Sequence, residues 1–547
     1  MVTGQMMDFP LTLTHFLERV PLYFPSTEIV SRLPDGSLHR HTYGDFYKRT
    51  CKLAHALTRL GVARGERVAT FAWNNYRHLE AYFAVPAIGA VLHTLNLRLH
   101  PDEIGFIARH ADDTMILCDH SLLPLLRKFV ENVPSVRRIV VMNDTGAELP
   151  DDVLDYEALI APEKATFDFP QLEERSAAGL CYTSGTTGNP KGILYSHRST
   201  VLHMMAVCMT SGLDVRESDT LLPVVPMFHV NAWGLPQACA CVGAKVVLPG
   251  PKLDAQSLLD LMANEKVTIA AGVPTIWTGI LALLDEHPKR WDLSALRHMV
   301  IGGTAAPAAM IDGFKKRHGL EVMHAWGMTE TSPIGTVSRL KGPLRTADDA
   351  TKLAARSTQG YPSPLVELRH MSEDGARLPW DGATMGELEV RGAWVASSYL
   401  GGDGADRFTK DGWFKTGDVV TIDADGYISI CDRAKDVIKS GGEWISSVAL
   451  ENALMAHPSV LEAAVFAGRH PKWDERPIAA VVFKEKRSAT EEELAAFLAE
   501  RFAKYWLPDA YVFPEQIPRT STGKYLKTKL RELYGEMLLS SSSPHAR

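Results

Sequence analysis

Residues 182–192 read YTSGTTGNPKG, a stretch that combines three glycines, four Ser or Thr hydroxyls and one lysine. Glycine lets the backbone turn where a side chain would clash, so that amide N–H groups and hydroxyls can converge on an oxyanion. The stretch is not a Walker A loop, because Asn189 and Pro190 stand between Gly188 and Lys191 and no Ser or Thr follows the lysine. It predicts a phosphate-binding loop of another kind, with a flexible surface loop as the alternative.

The composition favours a large globular protein that acts on small molecules. The chain has 547 residues, of which 46% are hydrophobic, and this length suggests roughly three to four domain-sized units. Its formal net charge of −7 gives no general attraction to nucleic acids or to anionic membranes. We therefore expect small-molecule partners and no nucleic-acid partner.

The N-terminus and the cysteines indicate a cytoplasmic location. The first twenty residues lack a basic start followed by an apolar core, and the longest apolar tract, residues 81–97, contains Pro86 and His93. These features predict neither an export signal nor a membrane span. The seven cysteines are odd in number, lie mostly in apolar segments and lack zinc-finger spacing, so we expect reduced core residues.

Short β-branched runs alternate with helical patterns from about residue 40 to residue 330. The first helix carries a capping box of Thr42 and Asp45 at its start and Gly61 as its stop. Strands are predicted at 66–73, 114–119, 137–142, 243–250, 267–273, 298–303 and 321–326, with helices such as 254–265 and 306–318 between them. This alternation predicts an α/β fold with two doubly wound parallel sheets side by side.

The pattern changes after residue 360. Short strands with Gly and Asp turns between about 360 and 430 predict a small antiparallel barrel or sheet, with Asp418 in a turn. A domain boundary is expected at roughly 432–436, followed by a compact α+β segment with helices near 446–456 and 490–503. The tail, residues 538–547, is expected to be disordered.

Five further stretches carry candidate functional residues. They are PMFHVNAWGLP (226–236), VIGGTAAP (300–307), HAWGMTE (324–330), WFKTGD (413–418) and PRTSTGK (518–524). Each one alone has an ordinary structural interpretation, such as a core histidine, a turn aspartate or a solvated lysine. Their occurrence together, in this order and at this spacing, favours a functional interpretation.

The six stretches together resemble the adenylate-forming superfamily of acyl-CoA synthetases, luciferases and peptide-synthetase adenylation domains. The resemblance spans essentially the whole chain, and residues 227–234, 324–330, 432–446 and 518–524 are most similar to medium- and long-chain fatty-acyl-CoA ligases. Ser184 stands where several fatty-acyl relatives have threonine, and it keeps the hydroxyl. The resemblance implies a large N-terminal domain of two doubly wound sheets plus a small β-barrel (1–431), a hinge (432–437) and a small mobile α+β C-terminal domain (438–547).

The resemblance implies that a carboxylate attacks the α-phosphate of ATP, which expels pyrophosphate and leaves an acyl-adenylate. Attack of one anion on another requires hydroxyls, amides, a cation and a metal to neutralise charge. The residues implied for ATP or AMP are Thr183, Ser184, Gly185, Thr186, Thr187, Gly188, Lys191, Gly302, Gly303, His324, Ala325, Trp326, Asp418 and Arg433. Glu330, with Ser184, would carry Mg²⁺; Thr329 would contact the α-phosphate, and Lys524 would be the mobile catalytic cation.

The second half-reaction transfers the acyl group to the thiol of CoA. The superfamily achieves it by rotation of the small domain about a short linker, here with Lys435 nearest the pivot. Gly441 and Gly442 would let the pantetheine arm pass close to the backbone, with Lys439 and Trp444 nearby. The alternative is an ordinary linker and turn.

The acid is the part of the function that the sequence specifies least. His229, Asn231 and Trp233 are expected to line the acyl pocket, and Trp233 matches the position that gates an acyl tunnel in fatty-acyl relatives. A medium- to long-chain fatty acid is the first hypothesis; methylmercaptopropionate and arylalkanoic acids are alternatives. Other classes are a luciferase-like monooxygenase, an adenylation module for a carrier protein and an inactive acyl-binding protein. A homodimer is a further expectation.

Overall fold

The computed structural model of the protein describes residues 3–183, 189–441, 443–519 and 525–540. The α-helices in these ranges are α1 (Leu13–Tyr23), α2 (Tyr43–Arg59), α3 (Tyr76–Ala87), α4 (Pro101–Ala111), α5 (Leu123–Leu126), α6 (Tyr156–Ile160), α7 (His197–Cys208), α8 (Leu235–Val242), α9 (Ala255–Asn264), α10 (Pro274–Glu286), α11 (Ala308–His318), α12 (Asp349–Ser357), α13 (Ser447–Met455), α14 (Glu491–Ala499), α15 (Lys527–Tyr534) and α16 (Met537–Ser540).

The strands in the same ranges are β1 (Glu28–Arg32), β2 (Leu38–Thr42), β3 (Arg67–Phe71), β4 (Val91–Thr94), β5 (Asp113–Asp119), β6 (Arg138–Met142), β7 (Leu154–Asp155), β8 (Ala177–Tyr182), β9 (Gly192–Ser196), β10 (Thr220–Pro223), β11 (Lys245–Leu248), β12 (Ile269–Gly272), β13 (His298–Ile301), β14 (Val322–Gly327), β15 (Ile334–Val337), β16 (Tyr361–Pro362), β17 (Val366–Met371), β18 (Gly386–Gly392), β19 (Phe414–Ile422), β20 (Ile428–Arg433), β21 (Ile438–Ser440), β22 (Glu443–Ile445), β23 (Val460–His470), β24 (Asp474–Phe483) and β25 (Ala510–Val512).

Two large sheets form the body of the protein, as the alternating pattern predicts. In the described part of the chain, one sheet has seven strands in the order β7-β6-β5-β3-β4-β8-β9, and the other has nine in the order β16-β15-β14-β13-β12-β10-β11-β1-β2. The inner neighbours pair in parallel, and antiparallel pairs occur only towards the edges, at β8/β9, β1/β2 and β14/β15/β16. The predicted α/β fold of two doubly wound sheets is confirmed.

Helices cover the sheets in layers. Helices α1, α2, α3, α7 and α8 lie between the two sheets and share one buried apolar core with strands of both. Helices α9, α10 and α11 cover the other face of the nine-stranded sheet, while α4 and α5 cover the other face of the seven-stranded sheet. Parallel strands buried on both faces require continuous apolar runs, and β12 (IAAG) is buried at every position. No helix in the described ranges is long and apolar enough to cross a membrane.

The sheet topology places several predicted site residues just beyond the carboxyl ends of strands. Strand β8 ends just before Thr183, β13 just before Gly302, and β14 two residues before Thr329. In open parallel sheets, ligands bind in the crevice beyond the carboxyl ends of the strands. The two sheets therefore contribute loops from corresponding ends to a common site.

Local sequence signals set the helix ends. The Thr42 side chain accepts a hydrogen bond from the backbone N–H of Asp45, and the Asp45 side chain accepts one from the backbone N–H of Thr42, which completes the predicted capping box of α2. Gly61 has a φ of +83° just beyond the end of this helix, a conformation that residues with a Cβ rarely adopt. The predicted start and stop of this helix are confirmed.

A four-stranded antiparallel sheet follows, in the order β17-β18-β19-β20. It lies where the sequence predicts a small antiparallel barrel or sheet. The prediction of a turn at Asp418 is wrong, because Asp418 lies inside β19 and pairs with Arg433 of β20. The preceding Gly417 has a φ of +70°, so a local irregularity of the strand, and not its end, produces the turn-like sequence.

The C-terminal part folds around a separate sheet of five strands in which β23 and β24 form the longest hairpin. Helices α13 and α14 coincide with the helices expected near 446–456 and 490–503, although α14 is shorter than expected. Strand β20 ends at Arg433 and β21 begins at Ile438, so the segment between them is the connection predicted as the hinge. The prediction of a disordered tail from residue 538 is wrong for residues 538–540, which belong to α16, and residues 541–547 lie outside the described residues.

A buried polar cluster joins the C-terminal part to the end of β20. Asp432 accepts hydrogen bonds from the backbone N–H and the hydroxyl of Ser447 at the start of α13. Lys527 of α15 contacts three oxygens: its Nζ lies 2.7 Å from Oε1 of Glu451 and 3.9 Å from Oδ1 of Asp432, and it donates to the hydroxyl of Ser447. The backbone N–H of Val465 donates to the same Glu451 oxygen at 2.8 Å. Removing one member would leave a buried group without its partner.

Burial and charge oppose each other in this cluster. Burial raises the pKa of Glu451 to about 7, although Lys527 lowers it. Burial lowers the pKa of Lys527, but the carboxylates of Glu451 and Asp432 outweigh it and raise the pKa above its ordinary value. Lys527 therefore stays charged at neutral pH.

The raised pKa of Glu451 predicts a stability term that is lost as the pH rises. Because the folded protein binds the proton more tightly than the unfolded chain, stability should fall between pH 4.5, the ordinary Glu pKa, and about 7. Glu451→Gln lacks this term, so the melting temperature of the wild type relative to the variant should decrease across this window. The expected total is on the order of 1–3 kcal/mol. Thermal unfolding at half-unit pH steps measures it, and a difference that stays constant with pH would contradict the assignment.

Candidate active site

A cavity of about 960 Å³ lies between the ends of the two large sheets, the antiparallel sheet and the C-terminal part. It brings together fourteen of the described residues that the sequence predicts for the site. These are Thr183, Lys191, His229, Trp233, Gly302, Gly303, His324, Ala325, Trp326, Thr329, Glu330, Asp418, Arg433 and Lys435. Residues far apart in sequence therefore share one site.

Four other described residues that the sequence predicts for the site do not line the cavity. Asn231 is described but does not line the cavity; its amide oxygen lies 3.4 Å from Sγ of Cys181 and 3.5 Å from the hydroxyl of Tyr82. Lys439, Gly441 and Trp444 belong to the β21/β22 hairpin, outside the cavity lining. Ser184, Gly185, Thr186, Thr187, Gly188, Gly442 and Lys524 lie outside the described residues.

The buried carboxylate of Asp418 holds two walls of the cavity together. The indole N–H of Trp326, near the end of β14, donates to Oδ2 of Asp418 at 2.9 Å. The guanidinium of Arg433 lies 3.0 Å from Oδ1 and also donates to the carbonyl of Thr416. Asp418 is only 3% exposed. A carboxylate of this kind, at the rim of a polar cavity, is a suitable acceptor for vicinal sugar hydroxyls.

Glu330 presents a second buried carboxylate to the cavity. The hydroxyl of Tyr399 donates to Oε1 of Glu330 at 2.6 Å, and the hydroxyl of Tyr195 donates to the neighbouring carbonyl of Thr329 at 2.8 Å. Burial, reinforced by Glu330, raises the pKa of Tyr399 well above its ordinary value, so the hydroxyl stays a donor. The site therefore contains an ionisable oxygen ligand whose position is fixed by a neighbouring side chain.

The donor set at Glu330 suits a magnesium ion that is shared with a ligand. No group of three or more His, Cys, Asp or Glu side chains in the described ranges could hold a metal by itself. Mg²⁺ is usually bound by one or two carboxylates together with substrate phosphates, and it keeps several waters. Glu330, a single carboxylate that lines the cavity, matches this type of site.

His324 is a neutral structural residue of the wall opposite Asp418. It is 1% exposed, and burial lowers its pKa to about 4. Its Nε2 accepts a hydrogen bond from the backbone N–H of Ala306 at 3.3 Å, which fixes the turn after β13. Gly303 in this turn has a φ of +89°. Gly302, Gly303 and Ala325 line the cavity on this side of His324 with little or no side chain.

An unusual backbone segment carries Trp233 into the cavity. Val230, Asn231, Ala232 and Trp233 all have left-handed φ angles, between 46° and 59°. Each such residue costs about 1–2 kcal/mol relative to a right-handed conformation. A Cβ atom at Gly302 would lie 3.0 Å from the Trp233 ring, so the absence of a side chain at Gly302 lets the indole occupy its place. Strain of this kind is concentrated at functional sites.

Cations surround the polar end of the cavity. Lys191, Arg407, Arg433 and Lys435 line it from the large part of the protein, and Arg519 lines it from the C-terminal part. Arg519 and Tyr525 flank the segment that contains Lys524, form a β-bridge with each other and both line the cavity. The described residues before and after the segment expected to deliver the catalytic lysine therefore lie at this cavity.

The sequence did not identify several cavity residues, among them Tyr399, Arg407 and Gln359. Tyr399 and Arg407 lie in the loop between β18 and β19, and Gln359 accepts a hydrogen bond from the backbone N–H of Ile430 at 2.6 Å. The run of glycines that follows Tyr399 (residues 401, 402 and 404) was the available signal, since all three have left-handed φ angles. An aromatic residue before a glycine-rich turn is too common to indicate a site on its own.

Comparisons with known proteins agree with this arrangement. The AMP-binding enzyme profile matches residues 17–400, and the profile of the AMP-binding enzyme C-terminal domain matches residues 449–524. The long-chain-fatty-acid–CoA ligase of Thermus thermophilus is 49% identical, over 97% of this chain and 96% of its own length. The medium-chain-fatty-acid–CoA ligase of Ectopseudomonas oleovorans is 46% identical, over 99% of both chains.

A third relative and a solved structure extend the comparison. The 3-methylmercaptopropionyl-CoA ligase of Ruegeria pomeroyi is 45% identical, over 98% of this chain and 99% of its own. The crystal structure of the anthranilate CoA ligase AuaEII in complex with anthranoyl-AMP matches with a TM-score of 0.85 and 28% identity, over 96% of this chain and 98% of that one. This chain therefore belongs to the AMP-binding enzyme family.

Proposed function

We propose that this protein is an AMP-forming acid–thiol ligase that activates a medium- to long-chain fatty acid with ATP and transfers the acyl group to CoA. The observation that carries the proposal is the cavity whose lining includes the polar residues Glu330, Asp418 and Lys191 and the apolar residues Trp233 and Val300. Such a cavity can hold a nucleotide and an apolar acid together. The fatty-acid–CoA ligases at 46–49% identity support the same assignment.

In the proposed first step, the chain's own residues hold ATP while the acid attacks its α-phosphate. Asp418 and Arg433 bind the ribose, and the wall from Gly302 to Gly303 with Ala325 packs against adenine. Loop 183–191 holds the β- and γ-phosphates, and Thr329 contacts the α-phosphate. Mg²⁺, held by Glu330 with Ser184 as a second ligand, would neutralise charge on the phosphate oxygens. Lys524 would place its cation between the carboxylate and the α-phosphate.

In the proposed second step, CoA displaces AMP after the C-terminal domain, residues 438–547, rotates about the hinge at 432–437. Lys435 lies in the connection between β20 and β21, and burial lowers its pKa. Rotation would bring Gly441, Gly442, Lys439 and Trp444 towards the cavity; of these, the described residues Gly441, Lys439 and Trp444 do not line it in the present arrangement. The homodimer and the cytoplasmic location stay predictions from the sequence.

The length of the acid is the finer part of the proposal. Trp233 and His229 line the cavity beside Val300, Ile334 and Met310, a mostly apolar set that suits an alkyl chain. The 45% identity to a 3-methylmercaptopropionyl-CoA ligase favours a short sulfur-containing acid as the second candidate. The two candidates differ in the apolar volume that the acid occupies.

The proposed function is tested with an acid series from three to eighteen carbons that includes 3-methylmercaptopropionate. We expect AMP release that requires ATP, Mg²⁺ and CoA together, with kcat/KM highest for a medium or long fatty acid because a longer chain buries more apolar surface. Thioester formation is followed by mass spectrometry. An optimum at 3-methylmercaptopropionate would replace the substrate assignment, and AMP release with every acid but without CoA consumption would contradict the ligase.

Trp233→Ala should change the preference among acids more than the affinity for ATP. Removal of the indole opens space beside Gly302, so kcat/KM for bulkier acids should rise relative to kcat/KM for the best wild-type substrate. The KM for ATP should stay within about twofold of the wild-type value. Trp380→Ala, at a partly exposed position between β17 and β18, is the matched control. An unchanged acid profile with a raised KM for ATP would move Trp233 to the nucleotide site.

Lys524→Ala should separate the two half-reactions. Loss of one positioned charge should slow acyl-AMP formation from ATP and acid by about a hundredfold or more, yet spare thioester formation from supplied acyl-AMP and CoA. Lys435→Pro, which fixes φ at the hinge, should have the opposite effect. Lys529→Ala, at an exposed lysine nearby, serves as the control. Single-turnover assays with each starting material measure both steps; equal losses in both steps for both variants would refute domain rotation.

A further inference from the structure

The loop between β18 and β19 holds Glu330 at both its backbone and its side chain. The backbone N–H of Ala396 donates to the carbonyl of Glu330 at 2.8 Å, and the hydroxyl of Tyr399 donates to Oε1 of its carboxylate at 2.6 Å. The hydroxyl of Ser332 donates to the carbonyl of Trp394 at 2.8 Å, which adds a third attachment two residues further on. The carboxylate is therefore tied to a neighbouring loop and not only to its own segment.

Tyr399 itself has little freedom to move. It is 5% exposed, and the rings of Phe408 and Phe414 pack edge-on against it, with centroids at 5.5 and 6.4 Å. A rigid donor of this kind fixes one oxygen of a carboxylate at little further entropic cost. The carboxylate that Tyr399 holds by Oε1 lines the cavity.

The same ring contacts the lysine of the phosphate loop. The Nζ atom of Lys191 lies 5.8 Å from the centroid of Tyr399, within the range of a cation–π interaction. A Cβ atom at Gly404 would lie 3.1 Å from both Cε of Lys191 and the Tyr399 ring, so this glycine permits the close approach of the loop. The Tyr399 side chain thus contacts both the Glu330 carboxylate and the Lys191 ammonium group.

We propose that Tyr399 is a positioning residue for adenylation: its hydroxyl orients the Glu330 carboxylate towards the metal–phosphate group, and its ring sets the place of Lys191. The inference deepens the proposed function and rests on it. It assigns to the loop between β18 and β19 a role at the phosphate end of the site. The competing interpretation is a hydroxyl that is simply satisfied within a core.

The test removes the hydroxyl and keeps the ring. Tyr399→Phe should weaken Mn²⁺ binding in the presence of ATP, without acid, by about tenfold or more, since loss of a partner behind a metal ligand usually costs 10- to 100-fold. Free Mn²⁺ is measured by electron paramagnetic resonance, a readout that does not depend on turnover. The matched control is Tyr43→Phe, a buried tyrosine whose hydroxyl donates to the carbonyl of Ala244 at 2.8 Å.

A double-mutant comparison shows whether Tyr399 acts through Glu330. In a Glu330→Gln background, Tyr399→Phe should weaken Mn²⁺ binding by less than about twofold further, because the carboxylate that it orients is already gone. In half-reactions, Tyr399→Phe should slow acyl-AMP formation, with much of the loss recovered at high Mg²⁺, and leave thioester formation from supplied acyl-AMP unchanged.

The outcomes separate this inference from the proposed function. Equal effects of Tyr399→Phe and Tyr43→Phe, an unchanged Mn²⁺ affinity, or additive losses in the Glu330→Gln background would each overturn the positioning role. If the wild type formed no acyl-AMP from any acid, the proposed function would fail, whereas the Mn²⁺ measurements would still decide whether Tyr399 orients Glu330. Thermal unfolding of each variant identifies a loss that comes from misfolding, and such a loss in Tyr399→Phe alone would favour the core interpretation.

Discussion

The buried carboxylate of Asp418 is the contact on which the rest of the site depends. It joins Trp326 at the end of β14 to Arg433 at the end of β20, and so connects the nine-stranded sheet, the antiparallel sheet and the start of the hinge segment. Loss of this acceptor would leave the Trp326 N–H unpaired inside the protein, at a cost of about 1–3 kcal/mol. The residue that holds these walls in place also lines the cavity, so architecture and the proposed ligand binding share one group.

Left-handed backbone angles and the lack of a side chain at Gly302 shape the part of the cavity around Trp233. Four residues from Val230 to Trp233 adopt left-handed backbone angles, and the indole that they present lies against Gly302. The surrounding core of helices α7 and α8 supplies the packing that holds this segment in place. A rigid aromatic wall beside a bare backbone gives a surface that can discriminate between acids by shape.

Buried polar contacts hold the C-terminal part against the end of β20, and a domain rotation would have to break them. Asp432, Ser447, Glu451 and Lys527 form a buried cluster around the end of β20, and Arg531 adds an ion pair with Asp436 at 2.7 Å. Two further contacts connect the C-terminal part to the rest of the protein: the Ser446 hydroxyl donates to the carbonyl of Cys431, and Lys439 forms an ion pair with Glu373. A domain rotation about residues 432–437 would therefore need to break several polar contacts, of which those to Asp432 are buried.

The sequence by itself predicted the main elements and, through the family resemblance, residues that meet in one cavity. The hydrophobic periodicity and the capping residues predicted α2 and the parallel strands. The six motif stretches and the hinge segment contain the fourteen predicted residues that line one cavity. These signals are local, so a linear pattern can carry them. Tertiary structure alone decided that Asp418 lies within a strand, that Asn231 contacts Cys181 and Tyr82 instead of the cavity, and that Tyr399 holds Glu330. Contacts between residues 50 to 149 positions apart depend on how sheets and loops pack, and no periodicity along the chain records them.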